Sequence, residues 1–345
     1  MSADALVVET VERLLGDVCT HDVIERAESD GWSPPVWDAM AEAGFPWVGV
    51  PEAAGGSGGT LADAAAILRA VGAHAAPVPV AETGLLAGWL LAGAGLELPS
   101  GAATVVPDAA AITIVNGRLT GEATVAWGAR SERIVALAAS GPRWVVASCC
   151  PDQLSITPGR SLSGEPRDLI RFDVALDDVD SAPAGDGVSG TALRARGALT
   201  RVVMAAGALD ALAQMTVDYT NERHQFGKPV ATFQAVQLHL VTVAQCAVRA
   251  TMAAELAVRA AVRGSFDLEI AAARVIVDAA ITDGTRAAHQ AHGAMGVTRE
   301  YGLHQLSRRL WTWRHEYGTT ASWRRQLARR AQDAGADNLF PLITG

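Results

Sequence analysis

Lysine is almost missing from this chain: one of its 345 residues, Lys228, is a lysine, and every other long cationic side chain is an arginine. Basic residues number 28 against 37 acidic ones, for a formal net charge of −9. With no stretch that concentrates cations, this balance argues against a general nucleic-acid partner. Cysteine is sparse as well. Cys19, Cys149, Cys150 and Cys246 show no metal-ligand spacing, and the adjacent pair is a poor disulfide. No uninterrupted apolar run reaches the roughly 18 residues of a membrane span. The acidic start lacks the basic and then apolar regions of a secretory signal. A cytoplasmic protein with no membrane attachment is therefore expected. The glycine-dense loop at 55–59 has neither a strand before it nor a Lys-Ser/Thr after it, so it is a poor candidate for a phosphate cradle.

Against these shortages, half of the residues are apolar and 19% are charged. That is enough for two or three domains with substantial cores. Apolar residues fall at helical spacing over 7–15 and 36–43. Thr60 reads as the N-cap of a helix to about residue 72, and another helix follows over 77–94. From about 103 the period changes to that of strands. Ile112 to Val115, the turn Asn116-Gly117 and Arg118 onward form a hairpin signature. Further strands are expected over 134–138, 144–148, 154–157 and 169–174, with a linker over 180–190. Four long helical stretches then cover 193–221, 233–263, 268–293 and 303–334, the lengths expected of an antiparallel four-helix bundle. The fold class is α+β, mostly α: an N-terminal helical domain (1–102), a reduced middle β domain with its linker (103–190) and a C-terminal bundle (191–345). The arginines Arg308, Arg309, Arg314, Arg324, Arg325, Arg329 and Arg330 read as a solvated helix face, or as a basic surface for a phosphorylated ligand such as coenzyme A.

The densest chemical signal is Glu222-Arg-His-Gln-Phe-Gly-Lys-Pro229 with Gln234 eight residues after Phe226. The Gly-Lys-Pro step ends one helical pattern and places Arg223, Gln225 and Phe226 at the break. An arginine fork suits a pyrophosphate and an aromatic ring suits a flat heterocycle. The run resembles the flavin-adenine segment of the acyl-CoA dehydrogenase family, and His289-Gln-Ala-His-Gly293-Ala-Met-Gly296 resembles that family's Gln-x-x-Gly-Gly-x-Gly segment. The resemblance implies FAD as cofactor, with Arg223, Gln225, Phe226, Gln234, Gln290, Gly293, Ala294 and Thr319 as its contacts. It implies that the ADP half is held for a neighbouring subunit, and that Arg308 matches an arginine of the same region. His289 and His292 lack a third metal ligand, so no metal is expected.

Two departures from the family pattern stand beside the matches. The family's catalytic carboxylate lies in a Tyr-Glu-Gly-Thr stretch, whereas this chain has Glu316-Tyr317-Gly318-Thr319. Tyrosine holds the usual base position and Glu316 comes one residue early, a rotation of about 100° if the segment is helical. The alternative position, before the arginine matched by Arg201, is Thr200. The β domain also lacks the family's Thr-Glu-Pro-x-x-Gly-Ser-Asp segment, and its tryptophan, Trp127, is displaced by two places and expected in the core. Three readings follow. One is a subunit of a heteromeric enzyme acting on a bulky, steroid-type acyl-CoA, with a paralogous subunit as partner and electron-transferring flavoprotein as acceptor. The second is a self-sufficient dehydrogenase using Glu316. The third is a scaffold with a retired FAD site.

Overall fold

The structure is a computed structural model and describes residues 3–264 and 268–344; residues 1 and 2 of the first expected segment and 265–267 and 345 of the last lie outside it. The chain opens with α1 (Ala5–Val18), α2 (His21–Asp30), α3 (Pro34–Glu42) and α4 (Leu61–Ala73). Thr60 caps α4 as expected: its Oγ accepts from Asp63 N (3.2 Å) while Asp63 Oδ2 accepts from Thr60 N (2.8 Å). The other oxygen of Asp63 accepts from Asp4 N (2.7 Å), which ties the start of α1 to that of α4. The helix expected over 77–94 is present only in part. A π-helical segment, Ala81–Gly88, leads into α5 (Trp89–Ala94).

Among the described residues, eight strands form one sheet in the order β6-β7-β3-β2-β4-β5-β8, with β1 parallel to β4. They are β1 (Ala103–Val105), β2 (Ile112–Val115), β3 (Arg118–Ala126), β4 (Arg133–Ser140), β5 (Arg143–Cys149), β6 (Ser155–Thr157), β7 (Arg167–Ala175) and β8 (Asp180–Pro183). The β2–β3 hairpin turns on Asn116 (φ +50°) and Gly117 (φ +73°), the left-handed pair that a two-residue turn requires. β8 corrects the expected linker. It is an edge strand paired with β5, and its Asp-Ser-Ala-Pro composition hides it because edge pairing uses backbone groups and demands no apolar alternation.

Three long helices follow: α6 (Gly190–Glu222), α7 (Gln234–Val262) and α8 (Leu268–His292). Between α6 and α7 the chain makes a two-residue-per-strand corner, β9 (His224–Gln225) and β10 (Lys228–Pro229). The fourth expected helix is broken into α9 (Leu303–Trp313) and α10 (Thr320–Ala334), followed by the short α11 (Leu339–Thr344). α4 crosses α6 at backbone distance. A Cβ on Gly72 would collide with the Met204 carbonyl, and one on Gly207 with that of Arg69. One contiguous core joins the N-terminal helices to the bundle, and a smaller one is built from residues of the β domain alone, among them Leu119, Ile134, Ala147 and Phe172. By length and composition α6 and α7 are each apolar enough to cross a membrane, although no uninterrupted apolar run is that long; α6 buries 72% of its most apolar window, α7 only 39%.

Candidate active site

A cleft of about 610 Å³ opens where the sheet meets the helices, between the β1–β2 loop, β3, β5, the first turns of α6 and the segment joining α9 to α10. This joining segment, residues 315–319, is what breaks the fourth helix. Tyr317 takes φ +56° and Gly318 φ +111°, a conformation that costs a non-glycine residue about 1–3 kcal/mol unless its surroundings over-determine it. They do so here through two arginines. Arg274, fully buried on α8, donates to the carbonyls of Trp313 (3.3 Å), Arg314 (2.7 Å) and Glu316 (3.2 Å), acceptors that the end of α9 leaves without helical partners. Arg194 of α6 donates to the Tyr317 carbonyl (3.3 Å) and to Ser322 Oγ (2.8 Å), and stacks 4.1 Å over the Trp323 ring. Thr319 caps α10 and accepts from Ser322 N (3.2 Å).

Glu316 therefore stands in a left-handed turn and not on a helix. Its carboxylate, 17% exposed, lies between Arg167 of β7 and Arg201 of α6, with Arg167 Nε donating to Oε1 at 3.0 Å. Burial alone would raise its pKa, but the two guanidiniums outweigh burial and hold it down to about 2. Arg201, itself buried, also pairs with Glu82 of the π-helical segment. The Tyr317 ring lies on α6 with the Arg201 guanidinium carbon 5.4 Å from its centroid, and burial pushes its hydroxyl well above the ordinary phenol value. Thr200, the alternative base position, is buried and donates to the Gly197 carbonyl at 2.7 Å. At the family's base position the chain thus offers a phenol that stays protonated at neutral pH, beside a carboxylate too acidic to take a proton readily. Asp108 and His315, both exposed, also line the cleft. Its indole is Trp144, which the motif reading missed. Trp127 is buried, with its ring edge-on to Trp32 at 6.1 Å.

The ion pairs continue away from the cleft. Arg167 faces Glu165 (3.8 Å), Glu165 pairs with Arg309 (3.1 Å), Arg309 with Glu28 (3.3 Å), and Glu28 with Arg308. Alternating charges thereby run from the N-terminal helices through the sheet to the bundle. This corrects the basic-surface reading for Arg308 and Arg309, which turn inward; Arg314 lies 4.8 Å over the Trp311 ring, and Arg324, Arg325 and Arg329 are exposed on α10. Glu82 had one visible signal, being the only charge in the apolar run 77–96. Glu165 and Arg167 had none, because their partners are far away in sequence.

The remaining site candidates gather at the other end of α6. Arg223, Gln225 and Phe226 sit on the β9–β10 corner and Gln234 opens α7. Phe226 is 92% exposed and adopts φ +53°. The Arg223 side chain is exposed and has no partner among the described residues, while Gln225 Nε2 donates to the His224 carbonyl (2.8 Å). Lys228 packs its ammonium 4.5 Å over the Phe233 ring, so the single lysine braces the corner. Gln290, Gly293 and Ala294, all exposed, end α8 beside it, because Tyr219 stacks on His292 (4.4 Å between ring centres) and donates to its carbonyl (3.3 Å). His289 is likewise engaged, with its Nε2 3.1 Å from Ser307 Oγ. Thr319 does not join this group. It follows the cleft-lining Gly318, roughly 40 Å away along α6 at 1.5 Å per residue from Gly197 to Arg223.

The donor set at the corner fits the ADP half of FAD. An unpaired guanidinium, exposed amides and an aromatic face with no cover of its own are what a pyrophosphate and an adenine would use. The model for the acyl-CoA dehydrogenase N-terminal domain matches residues 2–97, and that for the C-terminal domain matches residues 190–332. Acyl-CoA dehydrogenase FadE34 of Mycobacterium tuberculosis is 29% identical over 328 residues, covering 89% of this chain but 43% of that protein's length. The ChsE4–ChsE5 complex from Mycobacterium tuberculosis superposes with a TM-score of 0.82 (21% identity, 96% of this chain and 97% of that one). A variant of the Tcur3481–Tcur3483 steroid acyl-CoA dehydrogenase does so with 0.84 (22% identity, 95% and 97%). With both end domains matched and the same order of helices, sheet and bundle, this chain belongs to the acyl-CoA dehydrogenase family of FAD-dependent oxidoreductases.

Proposed function

We propose that this chain is one subunit of a heteromeric acyl-CoA dehydrogenase and supplies the ADP half of the FAD site to a paralogous subunit that carries the catalytic base. The observation that carries the reading is the contrast between its two regions. The corner keeps a free Arg223 and a 92% exposed Phe226, whereas at the base position the cleft has a protonated Tyr317 beside a Glu316 engaged by two arginines. FAD, when bound, accepts the hydride from the β carbon of the acyl thioester. The protein's part at the corner is to bind and orient: Arg223 for the pyrophosphate, Phe226 for a flat face, and the end of α8 for close approach of the adenine. In its own cleft no side chain at either family base position takes up the α proton. A self-sufficient enzyme working through Glu316 is disfavoured by the same ion pairs.

The similarity to a complex of two differently named chains, and to a steroid acyl-CoA dehydrogenase, supports a heteromeric assembly acting on a bulky, steroid-type acyl-CoA. The acceptor in this reading is electron-transferring flavoprotein. The test is the visible absorption spectrum of the chain purified alone and then co-expressed with its paralogous subunit. A colourless chain that yields a yellow complex, at about one FAD per pair, is expected. A chain that is yellow alone and bleaches with an acyl-CoA would overturn the reading in favour of the self-sufficient enzyme, and no flavin in either case would overturn it in favour of a scaffold.

A further inference from the structure

Tyr219 joins the two halves of the corner. Its carbonyl accepts from Arg223 N (2.9 Å), the bond that ends α6, and its hydroxyl donates to the carbonyl of His292 (3.3 Å), the residue before Gly293. Its ring lies 4.4 Å from the His292 imidazole and 20° from parallel with it, and Tyr301, 5.1 Å from the same imidazole, completes a three-ring cluster. At Gly293 the chain turns out of α8 with φ +59°, and a Cβ there would meet nothing within 4 Å, so this backbone is open to a ligand. Three residues on, a Cβ at Gly296 would lie 3.0 Å from the Cβ of His292, so the chain folds back directly onto the histidine. The spacing between Arg223 and the open backbone at 293–294 is thus set through one pair of stacked rings.

The imidazole is held in one protonation state. His292 is 3% exposed, and its Nδ1 lies 2.8 Å from the Ala288 carbonyl. A carbonyl only accepts, so Nδ1 carries the hydrogen and Nε2 a lone pair. Nε2 is buried and has no partner among the described residues. A proton there would bring a charge into a dry site with no acceptor for it. The ionisable groups around the ring supply no counter-charge. Tyr219 and Tyr301 present their rings, with burial and then Glu222 and Asp218 of α6 raising the Tyr301 phenol. His289, on α8, has its Nε2 3.1 Å from Ser307 Oγ, and His304 of α9 turns its Nδ1 to the Tyr301 carbonyl at 3.1 Å. Burial lowers the His292 pKa from its ordinary 6.5, and the bond to Ala288 opposes it only in part.

We propose that His292 is a positioning residue for the ADP half of FAD, holding Gly293 and Ala294 in register with Arg223 only while its imidazole is neutral; this rests on the function proposed above. A protonated ring has to leave the stack for water. The His292 carbonyl then parts from the Tyr219 hydroxyl, and the backbone at 293–294 drifts from Arg223. The neutral form is complete above the ordinary imidazole value and is lost as pH falls, so flavin retention should be highest near neutral pH and fall roughly tenfold by about pH 5.

The experiment compares wild type with His292→Phe, His292→Ala and Arg223→Ala. Each is co-expressed with the paralogous subunit, and the flavin kept through gel filtration is measured from about pH 7.5 down to about pH 5. The thermal midpoint of each lone chain is followed over the same range. His292→Ala removes the stack and should lose flavin by about tenfold at every pH. His292→Phe keeps a flat ring with no nitrogen to titrate, so it should restore retention and abolish the acid loss. In the lone chains, the wild-type midpoint should drop below that of His292→Phe as pH falls through about 6.5. An acid loss in His292→Phe equal to that of wild type would overturn the requirement for a neutral imidazole, as would parallel midpoints of the two lone chains. Wild-type retention by His292→Ala would overturn the positioning role and leave the function proposed above standing. Full retention by Arg223→Ala would overturn that function, while the lone-chain midpoints, read without flavin, would still decide whether His292 must be neutral.

Discussion

Gly197 is the seat of Tyr317: a Cβ at position 197 would fall inside the van der Waals envelope of the tyrosine ring. With hydrogen on that face of α6, the ring closes the gap between Gly197 and Arg201 one turn further on, and residues 315–319 can hold their left-handed turn. Gly197→Ala should therefore push Tyr317 outward and destabilise the chain by about 1–3 kcal/mol, the usual cost of overpacking a filled site. A calorimetric scan showing a lowered midpoint would agree, and an unchanged midpoint would mean that the ring does not rest there.

The phenol hydroxyl is a separate matter from the ring. Burial raises its pKa, so it supplies no base at neutral pH. Tyr317→Phe should leave both the thermal midpoint and the turnover of the assembled enzyme close to wild type. A turnover that collapses with Tyr317→Phe while flavin content is kept would assign chemistry to that hydroxyl.

Glu316 makes a prediction in pH. Its folded value of about 2 lies below the ordinary 4.5, because Arg167 and Arg201 overcome the opposing effect of burial. A depressed carboxyl stabilises the fold fully above its unfolded value and loses that contribution as pH falls through the folded one. The difference is worth about 3 kcal/mol at neutral pH. Urea titrations of wild type and Glu316→Gln should show a constant gap from pH 7 down to about 5.5, which closes between about pH 5 and pH 2. A gap independent of pH over that range would contradict the double ion pair.

The architecture was readable from periodicity because amphipathic helices and an Asn-Gly hairpin carry their signal locally, as α1 and the Asn116-Gly117 turn show. The corner was readable because Arg223, Phe226 and Gln234 lie within twelve residues. What escaped depends on distance. No local pattern tells Arg167 that it will meet Glu316, 149 residues away, or Arg309 that it will meet Glu165. The break before α10 escaped for a related reason: apolar spacing continues through Tyr317, and it is Arg274 on another helix that rewards leaving the helical path. β8 was lost because its strand identity resides in backbone pairing alone.

At the corner, Arg223→Ala and Phe226→Ala remove exposed groups without disturbing the core. Each lone variant should melt within about 0.5 kcal/mol of wild type, as surface substitutions do. In the assembled enzyme each should weaken FAD retention, with loss of the charge-assisted pyrophosphate contact costing about 1.5–3 kcal/mol, or roughly 10- to 100-fold. Flavin released on gel filtration, quantified by absorbance, reads this directly. Unchanged retention in the arginine variant would remove Arg223 from the site.

The chain of charges between sheet and bundle should behave unlike the charges on the surface. Arg171 and Glu122 pair at 3.0 Å but are 71% and 44% exposed, so Arg171→Ala should cost less than about 1 kcal/mol and less still at high salt. Glu165 pairs at 3.1 Å with an Arg309 that is fully buried, and it also faces Arg167. Glu165→Ala leaves those guanidiniums short of counter-charge in a dry interior, where breaking a pair costs about 3–5 kcal/mol. The loss should be insensitive to salt. Adding Arg309→Met to Glu165→Ala should recover part of it, because the stranded charge is then gone. A double variant no more stable than Glu165→Ala alone would show that the residues act separately and that the charges do not form one connected chain.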